Sequence, residues 1–256
     1  MTVKRKKKRP DPCSYRKRIY RSRVAPGGLV SFEVRIRETD LHILSGTDLR
    51  QEATAAVFRY RGQLEGYIAH HPEFATSLIP LAADPTAPPI VKTMLAAGLA
   101  AEVGPMAAVA GAMAEYVGVD LLAAGAGEVV VENGGDIFFC RNQESVAGIF
   151  AGLSPLSNRV GLKIAAGRMP LGICTSSGTV GHSLSLGVAD AVTVLAKDTA
   201  LADAVATLVG NMVQPGQGLE PALGKGSAVA GVLGVIIIRG EELGAWGEVE
   251  LVPLGG

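Results

Sequence analysis

The sequence predicts an α+β fold with mainly antiparallel sheet, because strand and helix patterns are partly segregated along the chain. Two strand-like runs, 30–37 and 41–44, open the body before any helical pattern begins. A long helical pattern and an alanine-rich helical pair then follow as a block. The predicted order is β-β-α-α-β-β, followed by a strand-rich second half with one strong helix.

In the first strand Val30, Phe32, Val34 and Ile36 alternate with Ser31, Glu33, Arg35 and Arg37, the period-two pattern of a half-buried strand. Leu41–Leu44 is its partner across a turn at Glu38–Asp40. Thr47 or Asp48 is the expected N-cap of a helix whose apolar stripe is Leu49, Ala53, Val57, Tyr60, Leu64 and Tyr67 or Ile68. His70, His71 and Pro72 end it. A loop holding Pro80, Pro85, Pro88 and Pro89 leads to the alanine-rich pair. Gly104-Pro105 divides that pair, with Pro105 at a new first helical position and Gly118 just past the helix end. So many Ala and Gly residues imply close approach of helices to neighbours rather than a bulky core.

Strands are expected at Glu128–Glu132 and Ile137–Cys140, joined by Asn133-Gly134-Gly135-Asp136. Others are expected at Val146–Phe150, Val160–Ala165, Leu171–Cys174 and Ala191–Ala196. The strong helix buries Leu201, Val205, Leu208 and Met212. A Gly/Pro loop, an apolar strand Val229–Ile238 and a last strand Glu248–Val252 complete the chain.

At 256 residues, 48% hydrophobic and 19% charged, the chain can bury a substantial core. The net charge of zero removes any overall bias toward nucleic acid or anionic membrane. Residues 1–23 nevertheless hold eleven Lys and Arg against one acid, Asp11. Residues 1–14 read as a basic flexible tail, with nucleic-acid binding through it weighed as unlikely. From Tyr15 an edge strand is expected. The three cysteines, Cys13, Cys140 and Cys174, lack metal-site spacing and fit reduced thiols in a cytoplasm. No uninterrupted run of eighteen apolar residues is present, so no membrane partner is expected.

Several motifs bear on chemistry. Gly125-Ala126-Gly127 precedes a strand instead of following one, which excludes a dinucleotide loop. His42 and the His70-His71 pair read as structural or solvated, and Cys174 as a buried strand cysteine. The turn Asn133–Asp136 is either a plain hairpin or a place where backbone amides and a carboxylate meet a ligand. Thr175, Ser176, Ser177, Gly178, Thr179, Gly181 and His182 form a hydroxyl- and glycine-rich loop suited to an anion. Asp203 and Thr207, one helical turn apart, suit a hard divalent cation. Asp190 is a further candidate near that site.

The segments VVVENGGDIFF (129–139) and AVTVLAKDTALADAVATL (191–208), with the Thr175–Gly178 loop and His182 between them, resemble the ApbE family of magnesium-dependent flavin transferases. The resemblance covers roughly residues 90–212, and its ADAxxT helix is the most specific part. It implies a duplicated T-fold-like architecture, a single domain over 15–256 of two intertwined halves, 15–140 and 141–256. It implies Mg²⁺ and FAD as cofactors and transfer of FMN from FAD to a threonine of a target protein. Asp203 and Thr207 would hold the metal, and Asp203 and His182 would be catalytic. Asn133, Gly134, Gly135, Asp136, Thr175, Ser176, Ser177, Gly178 and His182 would line the flavin nucleotide.

Two departures matter. His182 is followed by Ser-Leu-Ser-Leu-Gly instead of a DPxTG-like segment, and Gly104–Gly111 lacks the family's lysine. The chain is thus similar to a divergent ApbE-like branch of anaerobic bacteria and archaea. The alternative expectation is a flavin- or nucleotide-binding accessory protein without transfer, serving sulfur-amino-acid (homocysteine) formation. A homo-oligomer is also expected.

Overall fold

The computed structural model describes residues 28–178 and 187–255. The basic tail, the strand expected from Tyr15, and Thr179, Gly181 and His182 therefore lie outside the described residues.

Strands β1 (Val30–Ile36) and β2 (Thr39–Ser45) form the predicted hairpin. Its turn is Arg37-Glu38, one residue earlier than expected, because Ile36 pairs with Thr39 and Arg37 takes φ 53°. Helix α1 (Arg50–His70) buries Ala53, Ala56, Val57, Tyr60 and Leu64, close to the predicted stripe. Its first amide donates to Asp48 Oδ1 (3.1 Å), although Leu49 occupies the cap position. A short α2 (Glu73–Thr76) and α3 (Pro89–Ala100) follow. Pro105–Ala108 form a 3-10 turn leading into α4 (Val109–Ala123). Gly118 does not end α4 but lies buried within it. The ring of Phe138 takes its side-chain space, since a Cβ there would sit 2.2 Å from the ring.

Next come β3 (Val129–Asn133), β4 (Asp136–Cys140), β5 (Ser145–Gly148), β6 (Val160–Ile164), β7 (Leu171–Ser176) and β8 (Ala191–Ala196). Helix α5 (Thr199–Met212) is capped by Asp198, whose Oδ1 accepts from the Leu201 amide (2.8 Å). The expected Gly/Pro loop contains α6 (Glu220–Ser227), and β9 (Val232–Arg239) starts three residues later than expected. β10 (Glu242–Gly247) was not expected, and β11 (Glu250–Pro253) closes the order.

Every strand pair is antiparallel. An eight-stranded sheet runs β1-β2-β3-β4-β7-β8-β9-β10, and a second sheet runs β11-β6-β5. The predicted α+β class with mainly antiparallel sheets and packed helices is what the structure shows. The large sheet is covered on both faces. On one, Ile43, Val131, Phe138, Cys174, Val194 and Val235 pack with the helices. On the other, Val130, Phe139, Ile173, Leu195 and Ile236 pack with Leu162 and Ile164 of the small sheet. Double coverage explains why β8 is buried at every position and reads as an unbroken apolar run.

Residues 105–123 are long and apolar enough to cross a membrane by composition alone. Here α4 buries Ala112, Met113, Ala114, Val117 and Leu121 against the sheet and its helix neighbours, which accounts for that composition.

Candidate functional site

Four elements meet at the first turn of α4: the β3–β4 hairpin, the end of β7, α4 itself and the face of α5 carrying Asp203. The hairpin turn is Gly134-Gly135, with Asn133 opposite Asp136 and φ of 73° and 117° at the glycines. Positive φ at both central positions is what glycine permits at little steric cost. Glu132 Oε1 accepts from the Gly135 amide (3.0 Å), and Gly135 O accepts from the Thr175 amide (3.2 Å). The turn is thereby tied both to its own strand and to β7. Asn133 Nδ2 donates to Ala110 O (3.2 Å), bringing the hairpin to α4.

Asp203 Oδ2 accepts from the Gly111 amide (2.8 Å). Gly111 is pressed against α5 so closely that a Cβ would stand 2.3 Å from Thr199 O and 2.8 Å from Asp203 Cβ. Asp136 lies opposite Cys174 in the β4–β7 register, on the helix-facing side of the sheet. The Cys174 thiol donates to Thr199 O (3.3 Å).

Asp136 and Cys174 are buried here, with the half-buried Asp203 carboxyl beside them. Burial pushes the Asp203 carboxyl up to about 7, against the pull of the Gly111 and Ala110 amides. Burial, then the charge of Asp203, raises Asp136 well above the usual carboxylate range. Burial and then the charges of Asp136 and Asp203 raise the Cys174 thiol. Perturbed carboxyls converging at a helix N-terminus mark a candidate functional site.

The structure thus brings Asn133, Gly134, Gly135, Asp136 and Asp203 together. Ser176 is on the same sheet face, opposite Val192. Thr175 is not: its hydroxyl pairs with that of Thr193 (2.9 Å) on the face toward the small sheet. Thr207 is half-buried one turn beyond Asp203, Ser177 is half-buried, and Gly178 is exposed with its amide on Ala189 O (2.9 Å). His182 falls outside the described residues.

The secondary candidates are absorbed structurally. His42 is buried and hydrogen-bonded to Ser31 Oγ (2.9 Å), and His71 stacks on Tyr67 (4.3 Å). The Asp190 carboxylate accepts from the Gly240 amide (2.7 Å), away from Asp203. Sequence reasoning missed Ala110, Gly111, Glu115 and Glu132. Glu115 on α4 accepts from the Thr199 amide at the start of α5 (2.6 Å). It is one of two acids in an otherwise small, apolar helix, which was the available signal.

Among the described residues no group of three or more His, Cys, Asp or Glu side chains could hold a metal. One carboxylate and one hydroxyl are the hard oxygen donors that Mg²⁺ accepts when substrate phosphates and water complete its shell. Asp203 and Thr207 fit that requirement.

The fold is that of an ApbE-like protein. The backbone superposes on the apo flavinyl transferase ApbE of Pseudomonas stutzeri with a TM-score of 0.53, over 85% of this chain and 93% of that one, at 15% identity. For a mutant of the flavin transferase ApbE of Vibrio cholerae the TM-score is 0.54, with coverage of 85% and 96% and 13% identity. At these identities the likeness establishes the fold. Residues 21–229 match the family described as AbpE bacteria, and the chain belongs to that family. Among its relatives, the UPF0280 protein of Methanothrix thermoacetophila is 45% identical over 77% of this chain and 83% of its own length. That of Methanococcus aeolicus is 39% identical over 86% and 91%.

Proposed function

We infer that this protein is a magnesium-dependent flavin transferase that moves FMN from FAD to a threonine of a target protein. The observation that carries the reading is the pair formed by buried Asp136 and half-buried Asp203, raised together beside the first turn of α4. Two carboxyls held in one low-dielectric place favour a cation between ligand and protein. Asp203 and Thr207 would hold the metal, whose positive charge would offset that of the FAD pyrophosphate. Gly134 and Gly135 let the hairpin backbone approach the nucleotide, with Asn133, Asp136 and the Ser176–Gly178 segment beside it. In the reaction the threonine oxygen would form a bond to the FMN phosphorus, the bond to AMP would break, and the hydroxyl proton would pass to a base.

The reading takes the protein as cytoplasmic and its domain as two intertwined halves, 15–140 and 141–256. Each half supplies four strands to the large sheet, β1–β4 and β7–β10. A second reading, an accessory flavin- or nucleotide-binding protein of sulfur-amino-acid metabolism, is favoured by one observation. The first turn of α4 presents only Ala110 and Gly111 to Asp203, with no basic side chain to share the phosphate charge.

Purified protein incubated with FAD, Mg²⁺ and cell extract should yield fluorescent protein bands, lost with EDTA and in Asp203→Asn. Flavin that copurifies without transfer supports the second reading. Neither binding nor transfer overturns both.

A further inference from the structure

The two edges of the large sheet differ. At β1 the outward positions carry Ser31, Glu33 and Arg35, and Arg50 Nη1 donates to Glu33 O (3.0 Å), capping the edge. Charges and side-chain caps are how an edge is kept from pairing with another chain. β10 has none of this beyond its first residue. Its sequence is ELGAWG, almost wholly exposed, with Leu243 and Trp246 at 38% and 41% exposure. Leu153, the most exposed large apolar side chain described (86%), lies at the same edge, for Ser154 Oγ donates to Gly240 O in the β9–β10 turn (2.6 Å). Leu243 and Trp246 stand on opposite faces of the strand, being paired with Ile238 and Val235, so apolar side chains flank this edge on both faces.

We propose that β10 pairs antiparallel with β10 of a second copy of this chain, across a two-fold axis at Gly244. The two-residue turn Gly240-Glu241 sets Glu242, Gly244 and Trp246 to bond with β9. The amides and carbonyls of Leu243 and Ala245 therefore point outward. A two-fold axis normal to the sheet keeps each residue on its own face, so only registers centred on a residue are allowed. Centring on Ala245 requires the carbonyl of Gly247, which already accepts from the Val249 amide (2.9 Å) at a residue with φ 90°. Centring on Gly244 places Leu243 opposite Ala245 and satisfies every outward group of both. It also lays Trp246 over Glu242, whose carboxylate is held by Arg239 Nε and Nη2 (2.8 and 2.6 Å). The strand is thus complementary to itself and brings no like charges face to face. A second copy is the occupant these features select.

Trp246 is the single tryptophan, so its emission reports this edge alone. The full chain should run at twice 26.4 kDa by light scattering, and its emission should shift red on dilution through the dissociation range. Ala245→Lys and Leu243→Lys, both folded by circular dichroism, should each weaken association on the order of tenfold or more. A monomer at all concentrations with constant emission overturns the proposal. So does a dimer that neither variant weakens, because another surface then holds it.

Discussion

Asp203 Oδ2 lies 2.8 Å from the amide of Gly111, so a carboxylate of α5 caps the first turn of α4. The favour is returned one turn along: Glu115 of α4 accepts from the amide of Thr199, at the start of α5 (2.6 Å). The two helices run in opposite directions and exchange N-terminal caps. Ala108, at the cap position of α4, offers no side chain for that purpose. Asp203 therefore has a structural task that any proposed chemistry shares.

The two tasks separate by substitution. Below about pH 7 the Asp203 carboxyl is neutral, and a hydrogen bond of this kind contributes about 0.5–1.5 kcal/mol. Asp203→Ala should lower stability by about that much in urea unfolding without any metal. Asp203→Asn keeps an acceptor for Gly111 and should lose less than half as much, yet lose Mn²⁺ binding measured by electron paramagnetic resonance. Wild-type Mn²⁺ affinity in Asp203→Asn would remove Asp203 from the metal site.

The raised carboxyls make stability depend on pH in an unusual direction. Asp203 releases its proton at about 7 in the folded chain but near 4 when unfolded. Between those values the folded state holds the extra proton, so stability falls as pH rises and levels off above about 7. Asp136 shifts in the same direction. Each group contributes a slope of at most about 1.4 kcal/mol per pH unit. Thermal melting without metal should be higher at pH 5 than at pH 8, and Asp203→Asn should flatten the difference. If the proposed site takes Mg²⁺, adding it at pH 8 should restore part of the loss, because a ligand of the folded state stabilises that state.

Glycines inside helices should respond oppositely according to their neighbours. Gly111→Ala drives a Cβ to 2.3 Å from Thr199 O, and Gly118→Ala drives one to 2.2 Å from the Phe138 ring. Both should cost about 1–3 kcal/mol or more through overpacking, with Gly111→Ala also disturbing the Asp203 cap. Gly62 and Gly66 in α1 have nothing within 4 Å of such a Cβ. Alanine at either should stabilise by about 0.5–1 kcal/mol. Unfolding curves of the four variants test both signs at once.

Where local pattern and tertiary burial agree, the chain was readable: β1, β2, α1 and β8 lie within a residue or two of expectation, and of the stripe expected on α5, Val205 and Leu208 are buried while Leu201 and Met212 are half-buried. Pairing across the chain was not. Nothing local shows that β4 neighbours β7, or that Thr175 turns its hydroxyl to Thr193 and away from Asp203. Gly118 misled because a glycine that lets Phe138 approach looks the same in sequence as one that ends a helix. Helix α6 hid behind Pro221, Gly224 and Gly226, which read as breakers although Ala222 and Gly226 are buried. At the site, Asp203 and the Gly134-Gly135 turn were visible through residue type and spacing. The caps that Asp203 gives Gly111 and Glu115 gives Thr199 were not, being contacts between segments more than eighty residues apart.

The enclosure of Cys174 gives a last expectation. Its side chain is fully buried, its thiol donates to Thr199 O (3.3 Å), and the adjacent Asp136 and Asp203 disfavour the thiolate. A thiolate nucleophile needs the reverse surroundings, a nearby cation and solvent access. Alkylation of the native protein followed by peptide mass mapping should leave Cys174 unmodified until the chain is unfolded. Cys140 is half-buried and raised less, by burial and then Glu128, and should label sooner. Rapid native labelling of Cys174 would mean that the wedge between β7 and α5 opens in solution. The carboxyls beside it would then meet water, and the acid-favoured stability argued above should shrink in the same protein.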